Sequence, residues 1–165
     1  MTTTFFYGVR NYSSWSLRPW LALKWAGIAF EERFVDLDQD GYGRSAVKDV
    51  LAVSPSGKVP ALHVDGVVLW DSLAISEWAA ETRPEAGLWP EDPLRRAEAR
   101  AVTCEMHSGF PAVRRDLSMN IRRRVAAQDW AEDVRRDIAR LVEIWTTFRS
   151  RHAGEGPFLF GRRSI

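Results

Sequence analysis

Apolar residues recur at two different periods along the first half of the chain. The stretch TTTFFYGV is rich in aromatic and β-branched residues and predicts a strand. From about Trp15 to Ala26, Leu17, Leu21 and Trp25 repeat every four residues, as one face of a helix does. FEERFVDL follows as a second strand with Phe30, Phe34 and Val35 as its apolar members, and RSAVKDVLAV as a short helix. ALHVD and VVLW flank Asp65-Gly66, a pair that tolerates the positive φ angles of a two-residue hairpin turn. A third helix over Ser72 to Thr82 offers Leu73, Ile75, Trp78 and Ala79 for burial. The order βαβαββα predicts one mixed sheet: the first crossover gives a parallel, right-handed pair, the hairpin adds an antiparallel edge, and helices cover the faces.

RPEAGLWPEDP then carries three prolines and a glycine, which is linker composition. The reading divides the chain into residues 1–83, a linker over 84–93 and an all-α region over 94–165. In that region Asp92 is placed to cap a helix with Pro93 at its first position, and Leu94, Ala97, Ala101 and Val102 share one face. Pro111 ends or kinks it. Trp130, Val134, Ile138, Leu141, Trp145 and Phe148 form the apolar stripe of a second long helix, read as core. Two long helices bury only part of two stripes, so the helical domain is expected to be truncated at Ile165.

Composition narrows the function classes. With 45% hydrophobic residues and eight tryptophans in 165, the chain can bury a core. A net charge of +1 provides no general field for nucleic acid or anionic membrane, so neither is expected as a partner. No charged leader with a long apolar run and no stretch of 18 apolar residues occurs, which predicts a cytoplasmic protein. Arg122 to Arg124, with Arg114 and Arg115, offer a local anion patch, but a solvated helix end is the favoured reading. Cys104 alone excludes an internal disulfide and is expected to be a small buried apolar residue. His63, His107 and His152 lack ligand spacing, so no metal is expected.

Three short motifs carry candidate chemistry. NYSSWSLRPW places Ser13, Ser14 and Ser16 at a strand-to-helix turn, where hydroxyls cap orphan N–H groups. Pro19 favours Ser16 as the cap, because a cap at Ser13 puts Pro19 inside the helix at a cost of up to ~3 kcal/mol. Ser13 and Ser14 then face the positive helix end, which favours an anion by about 0.3–1 kcal/mol. In SPSGKVPAL, Pro60 must open its strand or sit in a turn. The tripeptide alone favours a trans bond; a cis bond would turn the Val59 main chain outward to pair with an extended ligand. In LWDSLAI, Asp71 and Ser72 open a helix, suited to capping or to holding a carboxylate and an ammonium group.

Taken together, SPSGKVPAL, LWDSLAISEW and LWPEDPLRRAEAR, in that order and spacing, resemble the glutathione transferase family over essentially the whole chain. SSWSLRPWLAL is similar to its serine-type branch, which includes the zeta class. The resemblance implies a thioredoxin-like first domain with a cis Val59-Pro60 bond and glutathione as co-substrate. It further implies that Val59 clamps the cysteinyl backbone, Lys58 approaches the glycine carboxylate, and Asp71 with Ser72 holds the γ-glutamyl end. Ser13, or next Ser14, would donate to the sulfur and favour its thiolate. Tyr7 is the runner-up hydroxyl. The absence of a cysteine near residue 13 disfavours disulfide-reducing relatives.

The implied activity is thiolate attack on a hydrophobic electrophile, with Trp15, Tyr12 and residues near Phe110 as apolar walls and a homodimer as the working form. The alternatives are a zeta-like glutathione-dependent cis–trans isomerase and a non-catalytic module of the same fold that binds protein.

Overall fold

The computed structural model describes residues 2–37 and 47–165. It separates into two compact units, Met1–Ala86 and Gly87–Ile165. The first unit contains β1 (Thr3–Tyr7), α1 (Ser14–Trp25), β2 (Glu31–Phe34), α2 (Lys48–Leu51), β3 (Ala61–Val64), β4 (Val67–Trp70) and α3 (Ser72–Thr82), in the order the periodicity predicts. Residues 44–46 of the expected second helix lie outside the described residues.

The sheet runs β2-β1-β3-β4. The β1–β2 pair is parallel, while β3 is antiparallel to both β1 and β4. Adjacent side chains on a strand point to opposite faces. Phe6 accordingly packs on the Val35, Val47, Val50 and Val59 cluster, whereas Phe5 meets Phe30 edge-on at 5.7 Å. Phe5, Leu23, Leu62, Ile75 and Ala79 are fully buried, and α1 packs against α3. Asp65 (φ 46°) and Gly66 (φ 88°) turn the β3–β4 hairpin with the two positive angles anticipated from the dipeptide.

The second unit holds α4 (Pro93–Ser108), α5 (Pro111–Asp116) and α6 (Glu132–Arg151). Asp92 caps α4 by accepting from the Arg95 N–H at 2.8 Å, with Pro93 at the first position. Pro111 opens α5, where the Asp137 carboxylate on α6 accepts from the Ala112 and Val113 N–H groups at 3.0 and 3.1 Å.

The expected apolar face of α4 is corrected. Leu94 is 79% exposed, and Ala97, Ala101 and Cys104 are exposed too. Ion pairs set the rotation of the helix: Arg95–Glu155 at 2.6 Å, Glu98–Arg151 at 2.7 Å and Glu105–Arg140 at 2.7 Å lie on one side. That side carries Ala99 inward and turns the Leu94–Cys104 stripe outward. Cys104 is therefore not the buried residue its helical setting suggested.

On α6, Val134 and Ile144 are buried but Trp145 is 57% exposed. Phe160 packs on Phe148 at 4.8 Å and on His152 at 5.6 Å, which draws the inner face round to Ile144 in the last turns. The arginines form no common patch. Arg114 donates to the Gly109 and Met106 carbonyls, Arg115 pairs with Asp116 and Asp133, and Arg122 to Arg124 are exposed.

Ile144→Ala is expected to lower stability by about 2–5 kcal/mol and Trp145→Ala by under about 0.5 kcal/mol, read from urea midpoints. The hydrogen bonds from Arg140 hold the Glu105 carboxyl below its ordinary range. A carboxyl with a depressed folded-state pKa contributes stability above its unfolded value and loses it as pH falls. Glu105→Gln should therefore flatten the acid limb of a pH–Tm profile, and an unchanged limb would contradict this role of the pair.

Candidate functional site

The register of the sheet brings three predicted motifs to one end. Phe6 stands opposite Ala61, and Ala61 stands opposite Trp70. Gly8, which follows β1, Val59-Pro60, which precedes β3, and Asp71-Ser72, which follows β4, therefore emerge side by side. Strands lie about 4.8 Å apart, so the ends of β1 and β4, two strands apart, are separated by about 10 Å. An extended tripeptide has a similar reach.

At the β1 side, the N–H groups of Tyr12 and Ser13 both donate to the Val9 carbonyl, at 3.0 and 2.8 Å, and fix the turn into α1. The cap of α1 is Ser13 and not Ser16: Ser13 Oγ accepts from the Ser16 N–H at 3.3 Å. Pro19 lies inside the helix, and burial of its ring offsets the missing helical bond. Ser16 is 5% exposed. Its Oγ accepts from the Ser13 hydroxyl at 2.8 Å and from the Gly8 N–H at 3.3 Å. Among the described residues the half-buried Ser14 hydroxyl has no hydrogen-bond partner.

The Val59-Pro60 peptide bond is cis, as the resemblance implied and against the reading from the tripeptide alone. Val59 is 7% exposed, and among the described residues its main-chain N–H and C=O make no hydrogen bond. Lys58 is exposed. Asp71 adopts φ 77°, a positive value unusual for a residue with a Cβ, and caps α3 by accepting from the Leu73 N–H at 2.8 Å and the Ala74 N–H at 3.4 Å. Ser72 is 2% exposed and, among the described residues, its Oγ has no hydrogen-bond partner. A buried hydroxyl without a partner costs free energy, which a ligand at that point would recover.

Gly8 escaped the sequence reasoning. A Cβ there would lie 2.5 Å from Leu37 Cδ1 and 3.2 Å from Val59 Cγ2, so a bare backbone joins the serine cluster to Val59. A glycine directly after an aromatic strand was the available signal. The Tyr7 ring is held among Phe5, Phe34 and Arg10, at 6.4, 6.0 and 5.0 Å. Trp15 carries the Arg18 guanidinium 4.0 Å from its ring centroid, and Tyr12 is 58% exposed. Phe110, expected to help wall a substrate pocket, is 5% exposed and belongs to the core of the second unit. No metal-holding group of three or more His, Cys, Asp or Glu residues occurs among the described residues. No helix among them is long and apolar enough to cross a membrane.

Comparison with known proteins meets the same features. Residues 12–82 match the family model for the N-terminal domain of glutathione S-transferase. A probable maleylacetoacetate isomerase of Caenorhabditis elegans is 41% identical over 101 residues, 61% of this chain and 44% of the relative. The maleylacetoacetate isomerase of Mus musculus is 34% identical over 128 residues, 76% of this chain and 56% of the relative. The chain thus spans about half the length of these relatives. Among solved structures, a glutathione transferase homologue from Burkholderia with bound glutathione superposes with a TM-score of 0.74 at 23% identity, covering 99% of this chain and 75% of that one. The theta-class enzyme of Xanthomonas axonopodis pv. citri, with glutathione bound, gives a TM-score of 0.67 at 25% identity, covering 99% and 76%. By motifs, fold and these relatives, residues 12–82 belong to the glutathione S-transferase family as its N-terminal domain, and the chain is similar to maleylacetoacetate isomerases.

Proposed function

We propose that the chain binds glutathione along the end of its sheet and promotes glutathione-dependent cis–trans isomerisation of an unsaturated dicarboxylate. The observation that carries the binding half is the buried Ser72 hydroxyl at the first position of α3, without a hydrogen-bond partner among the described residues and beside the strained Asp71 cap. Its O–H and the Ser72 main-chain N–H suit the α-carboxylate of the γ-glutamyl end, and Asp71 suits its ammonium group. One strand over, the unpaired Val59 main chain suits the cysteinyl backbone, and Lys58 the glycine carboxylate.

The sulfur then falls near the start of α1, where Ser13 donates to it and the helix dipole favours its charged form. When bound, glutathione supplies a thiolate that adds transiently to an electron-poor double bond. The protein fixes the tripeptide and holds a hydroxyl against the sulfur, with no covalent bond to the chain. Sequence reasoning put attack on a general hydrophobic electrophile first; the maleylacetoacetate isomerases among the relatives favour isomerisation. The working form in this reading is a cytoplasmic homodimer, in keeping with the exposed Leu94, Ala97 and Ala101.

Turnover of a cis unsaturated dicarboxylate with catalytic glutathione, exceeding turnover of an aryl halide, is the expected assay result; the reverse ranking would favour the general transferase. Removal of the Ser72 hydroxyl separates binding from folding. Ser72→Ala should leave the Tm of the ligand-free protein unchanged or raised and weaken glutathione about tenfold by calorimetry. Ser13→Ala should cost about 1 kcal/mol through the lost cap, whereas Ser14→Ala should stay within about 0.5 kcal/mol. Of the two, only Ser13→Ala should abolish the thiolate absorbance of bound glutathione at neutral pH.

A further inference from the structure

Ser16 takes no part in the binding scheme above, yet it is the most deeply buried of the three serines around the turn. Its Oγ receives two hydrogen bonds, from the Ser13 hydroxyl at 2.8 Å and from the Gly8 N–H at 3.3 Å. A hydroxyl has one proton and two lone pairs, so both lone pairs are occupied and the Ser16 proton remains to be placed. Among the described residues Ser16 Oγ donates no hydrogen bond, and in its pair with Ser13 it is the acceptor. As drawn, the pair leaves a buried donor idle, an arrangement that costs free energy.

A turn of the Ser16 side chain, together with rotation of both hydroxyls, removes that cost when an anion arrives. Ser16 then donates to Ser13 Oγ, still accepts from Gly8, and leaves the Ser13 proton free to point outward. Ser13 Oγ meanwhile continues to accept from the Ser16 N–H, 3.3 Å away, so the cap of α1 survives. No covalent bond forms or breaks, and no proton leaves its oxygen. Chains of hydrogen bonds polarise one another, so a Ser13 hydroxyl that accepts from Ser16 is also a stronger donor.

We infer that Ser16 is a positioning residue: by turning its buried hydroxyl toward Ser13 Oγ, it releases the Ser13 proton to the sulfur of bound glutathione. The inference rests on the glutathione reading and deepens it. Ser16 acts through Ser13 and does not touch the ligand. It also gives Gly8 a second task, since its N–H anchors Ser16 Oγ while its missing Cβ leaves room for Val59 and Leu37.

The test titrates the thiolate absorbance of glutathione bound to the parent chain and to Ser16→Ala, Ser16→Thr and Ser16→Cys, with calorimetric affinity measured alongside. No charged side chain differs among the four. Ser16→Ala is expected to raise the half-ionisation pH of the bound thiol by about one pH unit with an affinity within about twofold of the parent. Ser16→Thr keeps the hydroxyl and should titrate as the parent does. Ser16→Cys, a weak donor of similar shape, should fall between them and decides the matter if the alanine variant does not fold. A parent-like titration of a folded alanine or cysteine variant overturns the relay while leaving the glutathione site standing. Failure of the parent itself to bind glutathione overturns both.

Discussion

Ala61 faces Phe6 on one side and Trp70 on the other, and this double antiparallel pairing is what the candidate site depends on. A slip of one residue in either ladder would send Phe5 and Leu62, both fully buried, to the opposite face of the sheet. Their burial thus locks the register. The locked register in turn delivers Gly8, Val59 and Ser72 to one end of adjoining strands. With them come unusual backbone features: a close approach that excludes a side chain at Gly8, a main chain at Val59 with no hydrogen bond among the described residues, and the strained Asp71 cap beside Ser72. Core packing and the layout of the candidate site are in this sense one constraint seen from two sides.

The hydroxyls divide their labour by depth. Ser13 caps α1, Ser16 beneath it anchors to Gly8, and Ser72 lies buried at the start of α3 with no hydrogen-bond partner among the described residues. Two helix N-termini at one sheet end present donors to the same region, which suits a ligand bearing a carboxylate at one end and a nascent thiolate at the other.

Local chemistry made some of the structure legible in the sequence. Asp65-Gly66 specified its turn through backbone preference, α3 occupies the Ser72–Thr82 span read from its periodicity, and Asp92-Pro93 opens α4. What was not legible depended on distant partners. Pro19 misdirected the cap to Ser16 because the burial of its ring cannot be seen in the local sequence. Leu94 and Cys104 face outward because ion pairs with residues 35 to 60 positions away set the rotation of α4. Trp145 yields its place to Ile144 through contacts of Phe160 with the end of α6. In the site, the serines, Pro60 and Asp71-Ser72 were visible as motifs, while Gly8 and the pairing of Ser13 with Ser16 required the fold.

A crystal structure of the chain with glutathione tests the account most directly. The account predicts the cysteinyl backbone paired with the Val59 main chain, the γ-glutamyl carboxylate on Ser72 Oγ and the sulfur within hydrogen-bond distance of Ser13 Oγ. A tripeptide lying away from this sheet end, or a sulfur with no hydroxyl beside it, would contradict it.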